Sequence, residues 1–217
     1  LIISNQFIRH GLISPKFKIY KTNVNGQNWG LMIAEEQFSN VFLENRKLKD
    51  GLIFKLSNEA YSKISQYLAN KNIKRRQLFL NKQDKHEIDI FNKKKINRYK
   101  YLQDQETLIR SIKEKLNSNE DYDEKSILVK KYFNVNKLAK LLANVVVFDT
   151  FHSLSIKNIR FYLNPYNLVI EPIPTDNYYN LASNNTLDYI KKLESANIIF
   201  RALYNDESFK NEYNISL

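Results

Sequence analysis

Apolar positions in the first part of the chain change from helical to strand spacing. Residues Ser4 to His10 end at Gly11, which tolerates the left-handed conformation of a helix C-terminus, and they predict the last turns of a helix. Apolar and basic side chains then alternate from Lys16 to Val24, and Asn25-Gly26 separates this run from Trp29 to Glu35. Alternation on both sides of an Asn-Gly pair predicts a β-hairpin.

Further helices and one strand follow this hairpin. Helical spacing from Glu36 to Lys47 leads to Asp50-Gly51 and a short predicted strand, Leu52 to Leu56. Three more helices are predicted from helical spacing, at Asn58 to Leu68, at Glu106 to Leu116, and from Ser126 as one long helix with apolar residues Leu138, Leu141, Leu142, Val145 and Val146.

The long helix ends at a polar segment that contains Asp149 and His152. A second hairpin is predicted next, from an aromatic and β-branched run, a turn and another β run: Asn158 to Leu163, Asn164-Pro165-Tyr166-Asn167, and Leu168 to Ile173. Because a tight hairpin returns the chain to its starting point, we expect Asn158 and Asp176 at one end of a ribbon, close to Asp149 and His152.

These residue types suit phosphoryl transfer. In protein kinases one Asp accepts or orients the substrate hydroxyl, a nearby Asn gives a neutral oxygen to Mg²⁺, and a second Asp holds the metal against the phosphates. Asp149, Asn158 and Asp176 match these three roles in type and order. The alternative is structural: Asp149 as an acid at a helix end, His152 as a hydrogen-bonding side chain, Asn158 as a turn residue and Asp176 as a helix cap.

Lys55 is the candidate phosphate-binding residue of the predicted strand. Kinases hold nucleotide phosphates with a strand Lys that a Glu fixes by an ion pair, and Glu35 or Glu36 is the candidate partner here. The alternative is that Lys55 is an ordinary strand lysine, since Lys is the commonest charged residue of the chain.

Two parts of the chain resemble a known family. One has the pattern Asp-x-x-His-Ser from Asp149, then Asn-Ile-Arg-Phe-Tyr-x-Asn-Pro-Tyr from Asn158, then Glu-Pro-Ile-Pro-x-Asp ending at Asp176. The other comprises the segments 12–16, 24–26, 29–38 and 51–55. Together they cover about half of the chain and resemble the CotH kinase family, the spore-coat-protein-H-like atypical protein kinases.

The resemblance implies an α+β, kinase-like domain, in which small antiparallel strands pack beside a mainly helical region. It implies transfer of the γ-phosphoryl group of ATP to a protein hydroxyl. Asp149 would be the base or hydroxyl-orienting residue, His152 would position the loop, Asn158 and Asp176 would bind Mg²⁺, and Lys55 would contact phosphates. One domain over residues 1–217 is expected, shortened at its N-terminus, in a protein that is exported or associated with the cell envelope.

Composition limits these interpretations. With 217 residues, 43% of them hydrophobic, the chain can bury one core, and the absence of Cys excludes disulfides, thiolate metal sites and a Cys nucleophile. No apolar run is long enough to predict a transmembrane segment. A net charge of +11 favours an anionic partner, although the richness in Asn, Lys and Ile is also typical of an AT-biased genome.

The most basic segment, Asn70 to Lys100, is interleaved with Phe79, Phe91, Tyr99 and Tyr101. Basic and aromatic residues in alternation can bind single-stranded nucleic acid, but we expect a solvated face with its aromatic side chains turned to the core, and nucleic acid is an unlikely partner. The alternatives to a kinase function are a non-catalytic structural or binding domain of the cell envelope and a basic nucleic-acid-binding module.

Overall fold

The fold was taken from a computed structural model, which describes residues 2–56, 88–119, 121–175 and 197–217. These residues form an α+β protein, as predicted. The helices are α1 (Ile2–Arg9), α2 (Asn40–Glu44), α3 (Lys100–Asn117), α4 (Tyr122–Tyr132), α5 (Val135–Phe148), α6 (Ile198–Leu203) and α7 (Glu207–Ser216). The strands are β1 (Phe17–Val24), β2 (Gln27–Glu35), β3 (Leu52–Lys55), β4 (Asp89–Ile90), β5 (Arg160–Leu163) and β6 (Ile170–Ile173). The helix predicted at Asn58 to Leu68 lies outside the described residues.

The N-terminal hairpin follows its sequence pattern. Asn25 and Gly26 both have positive φ, at 50° and 81°, as the turn of a right-twisted two-residue hairpin requires. Strands β1 and β2 pair antiparallel from Phe17 opposite Glu35 to Val24 opposite Gln27, with an irregularity after Thr22. Before them, Gly11 adopts φ 76° just beyond α1. The predicted hairpin and the glycine that ends the first helix are both confirmed.

A second sheet contains four strands in the order β4-β3-β5-β6, all antiparallel. The register places Phe54 between Ile90 and Phe161. Because side chains alternate along a strand, Phe54 and Phe161 face the main core, whereas Ile53 and Tyr162 face a second, smaller core. The sheet is therefore covered on both faces.

Each face has its own covering elements. Apolar residues of α3, α4, α5 and α6 pack with Phe54 and Phe161 in the main core, and β6 and α7 lie against α5. The smaller core comprises Ile13, Phe38, Phe42, Leu43, Ile53, Tyr162 and Ile173. Residues between the two sheets, among them Phe38, Phe42 and Leu43, therefore cover the face of β3 that carries Ile53.

The long helix predicted from Ser126 is wrong in one respect, since it is divided into α4 and α5. The backbone of Phe133 is extended, and Asn134 begins α5 by accepting a hydrogen bond from the backbone N–H of Lys137 at 3.1 Å. The backbone N–H of Asn134 donates to the carbonyl oxygen of Ile170. Pairing with β6 at this point competes with the helical hydrogen bonds and breaks the helix.

The second predicted hairpin is confirmed as β5 and β6, which pair from Arg160 opposite Ile173 to Leu163 opposite Ile170. Asn164 and Asn167 hold the loop through their side-chain oxygens, which accept from the N–H groups of Tyr166 and Val169. Within the described part of the chain, no helix is long and apolar enough to cross a membrane.

Candidate functional site

Asp149 lies where α5 ends and is held in a left-handed conformation, with φ 51° and ψ 44°. The N–H of Asp149 donates to the carbonyl oxygen of Val146, and the N–H of Thr150 donates to that of Val145. These two hydrogen bonds form a Schellman motif, in which glycine is the usual residue at the left-handed position. A side chain there is strained, and such strain is concentrated at functional positions.

The carboxylate of Asp149 has no protein partner among the described residues. Its Oδ1 is buried and accepts no hydrogen bond, and the hydroxyl of the adjacent Thr150 is also buried without a partner. A buried oxygen that no donor reaches costs roughly 1–3 kcal/mol. The end of α5 thus combines backbone strain with an unsatisfied acid, and neither feature stabilises the fold.

His152 and Asn158 are brought together by the loop that follows. A 3-10 helix, Phe151–Leu154, carries His152, and the side-chain Nδ2 of Asn158 donates to the His152 carbonyl oxygen at 2.9 Å. Since a carbonyl oxygen can only accept, this contact decides which end of the Asn158 amide faces the loop. The Asn158 Oδ1 is directed away from that bond, and no donor of the described chain reaches it.

The hairpin brings Asn158 back beside the end of β6, as the sequence predicts. The hydroxyl of Thr175 donates to the carbonyl oxygen of Asn158, which extends the pairing of β5 with β6 beyond the strands. Asp176 follows Thr175 in the sequence and itself lies outside the described residues. Its proposed contact with the ion that Asn158 would bind stays a prediction.

A buried hydrogen bond fixes the loop to the C-terminal helices. Asn197, which is 1% exposed, donates through Nδ2 to the carbonyl oxygen of Leu154 and accepts from the N–H of Ile199 through Oδ1. Ser153 donates its hydroxyl to the carbonyl oxygen of Thr150. The segment between Asp149 and Asn158 is therefore tied at several points, as a rigid site requires.

Lys55 is the last residue of β3 and is only 3% exposed. It pairs with Asp89 of β4 in the register, and its Nζ lies 5.7 Å from the centroid of the Phe91 ring. The side chain of Lys55 is therefore almost entirely buried at the end of an interior strand of the sheet. Its contact with a phosphate stays a prediction.

The expectation that Glu36 pairs with Lys55 is wrong. Both carboxylate oxygens of Glu36 contact the guanidinium of Arg46, and Asn45 and the N–H of Lys16 donate to the same carboxylate. Burial acts to raise the pKa of Glu36, but these donors outweigh it and lower the pKa. Glu36 is thus a structural acid that joins β1 to α2, whereas Glu35 is exposed at the end of β2.

Arg160 was missed by the sequence reasoning. Continuing the register one step beyond Phe54 and Phe161 places Arg160 beside Lys55, on the same face of the sheet. Its guanidinium carbon lies 4.3 Å from the centroid of the Phe38 ring and 4.9 Å from that of Phe91. The signal was present in the alternation of the strand, because Arg160 and Tyr162 have the same parity.

The basic segment corrects another expectation. Of its aromatic residues in the described chain, Tyr99 and Tyr101 are 46% and 41% exposed and are not turned to the core, whereas Phe91, 36% exposed, packs against Phe38. Some of its cations are paired locally, Lys95 with Asp50 and Lys100 with Asp104. This part of the segment forms a short 3-10 helix, Lys93–Arg98, and the start of α3.

The amide oxygen of Asn158 is of a type that fits Mg²⁺. The nitrogen of this amide binds the His152 carbonyl oxygen, and an amide oxygen is a hard ligand of the kind that the ion prefers. No cluster of three or more His, Cys, Asp or Glu residues with metal-binding geometry occurs among the described residues, which do not include Asp176.

Comparisons with known proteins add no family assignment. No protein-family model matches the chain, and no curated protein matches it. The fold class is α+β, and the arguments for a function come from the residues of the site and from the sequence motifs that contain them.

Proposed function

We propose that the chain is an atypical protein kinase-like domain, which transfers the γ-phosphoryl group of ATP to a protein hydroxyl. Asp149 is assigned as the base or orienting residue for the attacking hydroxyl, and His152 as the residue that positions the loop. Lys55 is assigned to the phosphates, with Glu35 as the remaining candidate partner. These are the roles that the resemblance to the CotH kinase family implies.

The observation that supports this proposal most is the state of Asp149. Its carboxylate has a buried oxygen without a donor, on a residue held at φ 51° where glycine would be less strained. A structural acid would be expected to have a hydrogen-bond partner, as Glu36 has with Arg46. An acid that is held in place but left unsatisfied suits the acceptance of a substrate proton.

Magnesium is the expected companion of the nucleotide. Asn158, through Oδ1, and Asp176 are the residues that would hold it, and the ion would supply partial neutralisation of the phosphate charge. The amide orientation of Asn158 supports this assignment, because the anchoring bond to His152 uses the nitrogen and keeps the oxygen available. The role of Asp176 rests on its place in the sequence motif.

A transfer assay tests the proposal. We expect the chain to move radiolabelled phosphate from [γ-32P]ATP to itself or to dephosphorylated casein, and Asp149→Asn to reduce the rate by about 10²–10⁴-fold, the usual contribution of a positioned base. Asn keeps the size of the side chain and tolerates the left-handed conformation, so the fold should persist. Nucleotide affinity should stay within a few-fold, because such a residue acts mainly in the transition state.

Asp104→Asn is the matched control, since Asp104 is an exposed acid of α3 that pairs with Lys100. It should leave the transfer rate unchanged. Equal rates in the wild type and in Asp149→Asn would contradict the assignment of Asp149. If the wild type transferred phosphate from ATP to neither acceptor, the proposed kinase activity would be contradicted.

A nucleic-acid-binding module is the second candidate, favoured by the exposure of Tyr99 and Tyr101, whose rings lie 5.8 Å apart on the basic segment. Exposed rings beside cations can stack bases. Retention of single-stranded DNA that weakens steeply with salt, and that Tyr99→Ala with Tyr101→Ala abolishes, would support this function. Retention that the double substitution leaves unchanged would contradict it.

A further inference from the structure

The hairpin of β1 and β2 exposes large apolar side chains to solvent. Every residue of β2 is exposed, and Trp29, Leu31 and Ile33 are 58%, 75% and 67% exposed. On β1, the side chains of Ile19 and Tyr20 are each about half exposed. Two strands without further packing are only marginally stable in water, and contiguous apolar surface on a folded protein marks an interaction site. This hairpin is therefore a surface that a partner would cover.

The register divides these side chains between the two faces of the hairpin. Ile19 lies opposite Ile33, and Lys21 lies opposite Leu31 in the next row of the same face. Because side chains alternate along a strand, Tyr20 lies on the other face. The first face, which we call the aliphatic face, thus carries Ile19, Leu31 and Ile33 beside Lys21.

The charge of the hairpin has one sign. From Lys16 to Ala34 every charged side chain is a lysine, and Lys16, Lys18 and Lys21 are all exposed. The chain as a whole has a net charge of +11. Like charges oppose contact between two copies of such a surface, so the charge favours an anionic partner over a second copy.

The combination of residue types favours a lipid surface as this partner. Trp and Tyr concentrate at the headgroup level, aliphatic side chains enter the acyl region, and lysines attract anionic headgroups while their stems remain among apolar groups. The hairpin has Trp29 and Tyr20, the aliphatic face, and Lys18 with Lys21. A protein partner would have to match the shape of a narrow ribbon, whereas a fluid lipid surface accommodates projecting side chains without such a match.

We propose that the β1-β2 hairpin binds to the surface of a membrane that contains anionic lipids, with the aliphatic face towards the acyl chains. The free edges of β1 and β2 then lie at the headgroup level, where water satisfies their backbone N–H and C=O groups. This inference is independent of the proposed kinase function, because it uses none of the residues assigned to the nucleotide or to the substrate hydroxyl.

Trp29 makes the proposal directly testable, because it is the only tryptophan of the chain. The full chain is titrated with vesicles of equal parts phosphatidylglycerol and phosphatidylcholine, and with vesicles of phosphatidylcholine alone. With the anionic vesicles we expect the protein to sediment and the Trp29 emission to shift to shorter wavelength, since the indole enters a less polar environment. Neutral vesicles should bind at least about tenfold more weakly, and salt should weaken binding to the anionic ones.

Two double variants locate the contact, and both keep Trp29 as the reporter. Lys18→Gln with Lys21→Gln should weaken binding by about 10- to 30-fold, at roughly fivefold for each lysine near an anionic surface. Leu31→Thr with Ile33→Thr should weaken it by at least about tenfold, because apolar area is lost from the contact. Thr favours strands, so the hairpin should persist in this variant.

Matched controls change the same residue types at other exposed positions. Lys115→Gln with Lys131→Gln removes two exposed lysines, one from α3 and one from α4. Ile127→Thr with Ile215→Thr alters side chains that are 64% and 80% exposed on α4 and α7. Each control should keep the affinity of the wild type for anionic vesicles within a few-fold.

Several results would overturn the proposal. Among these are no sedimentation with anionic vesicles, sedimentation without a change in Trp29 emission, hairpin variants that bind as well as the wild type, and equal affinities for neutral and anionic vesicles. An emission shift that soluble polyglutamate produces as fully as the vesicles do would assign the hairpin to an acidic protein instead. A shift that grows with protein concentration in the absence of vesicles would assign it to a second copy.

Discussion

At the scale of the residue, Asp149 makes two unfavourable contributions to the stability of the fold. The left-handed conformation costs a non-glycine residue roughly 1–2 kcal/mol, and the buried Oδ1 lacks a donor among the described residues. A glycine would end α5 with less strain and would leave no carboxylate oxygen buried without a donor. The acid is therefore best explained by its chemistry, since the helix end does not need it.

This explanation predicts how substitutions of Asp149 affect stability. Asp149→Gly should leave the free energy of unfolding within about 1 kcal/mol of the wild type, because relief of the left-handed strain offsets the greater entropy of the unfolded chain. Asp149→Ala should be less stable than Asp149→Gly by about 1 kcal/mol, since Ala keeps the Cβ that makes the left-handed conformation unfavourable. Urea unfolding followed by circular dichroism measures both differences.

In the transfer assay, Asp149→Gly should lose phosphoryl transfer although it remains folded. A decrease in stability of more than about 2 kcal/mol in Asp149→Gly would show that the Asp149 side chain stabilises the native state, and its proposed catalytic role would lose its main support.

At the scale of the element, the seam between β3 and β5 depends on Gly51. A Cβ built on Gly51 would lie 2.1 Å from the carbonyl oxygen of Leu163, which is backbone and cannot rotate away. Gly51→Ala should therefore destabilise the chain by about 1–3 kcal/mol or more, the usual cost of forced overpacking. Thermal and urea unfolding measure the effect.

Gly11→Ala is the control for this substitution. Gly11 has φ 76°, but nothing lies within 4 Å of the added Cβ, so only the left-handed strain of roughly 1–2 kcal/mol applies. If Gly51→Ala proved as stable as the wild type, the close approach of β3 to β5 at Gly51 would be contradicted.

The C-terminal helix α7 offers a prediction on pH. Asp206 begins α7 by accepting from the N–H of Phe209, and it also pairs with Lys130 of α4. The hydrogen bond from Lys130, with that from Ser208, lowers the pKa of Asp206 from 3.8 to about 2. Because the folded state lowers this pKa, the stabilisation is present above pH 4 and is lost as the pH falls towards 2.

Asp206→Asn isolates the charge, because Asn is an equally good N-cap residue. The wild type should be more stable than Asp206→Asn at pH 6, and the difference should shrink between pH 4 and pH 2. Denaturant unfolding at a series of pH values provides the comparison, and a difference independent of pH over this range would exclude the charge of Asp206 as its source.

At the scale of the whole molecule, local signals predicted the elements better than their contacts. Asn25-Gly26 and the Asn164 to Asn167 turn act through their own backbone preferences, so both hairpins could be predicted from the sequence. The return of Asn158 to the end of β6 followed from the second hairpin. The α+β class followed from the mixture of spacings.

Tertiary contacts could not be predicted in this way. Glu36 was predicted to form an ion pair with Lys55 because of the order of the two residues in the sequence. In the structure Arg46, which follows α2, forms the ion pair with the Glu36 carboxylate. The break at Asn134 depends on its hydrogen bond to Ile170, far along the chain. The neighbours of Arg160, including Lys55 and Phe91, come from strands that pair only in the folded sheet.

We propose a magnesium-dependent nucleotide site on the β5-β6 hairpin, with Asp176 as its carboxylate ligand. Asp176 would supply a full negative charge to the ion, whereas Asn158 offers only a dipole, so the loss of Asp176 should weaken the metal-nucleotide complex the most. A cap residue, in contrast, would change only stability, by about 0.5–2 kcal/mol.

Calorimetric titration of ATP, with and without Mg²⁺, on the wild type and on Asp176→Ala tests this claim most directly. We expect Mg²⁺ to strengthen ATP binding to the wild type by at least about tenfold, equivalent to 1.4 kcal/mol, and to have little effect on Asp176→Ala. Equal affinities in the two proteins, or binding to the wild type that Mg²⁺ does not change, would contradict it.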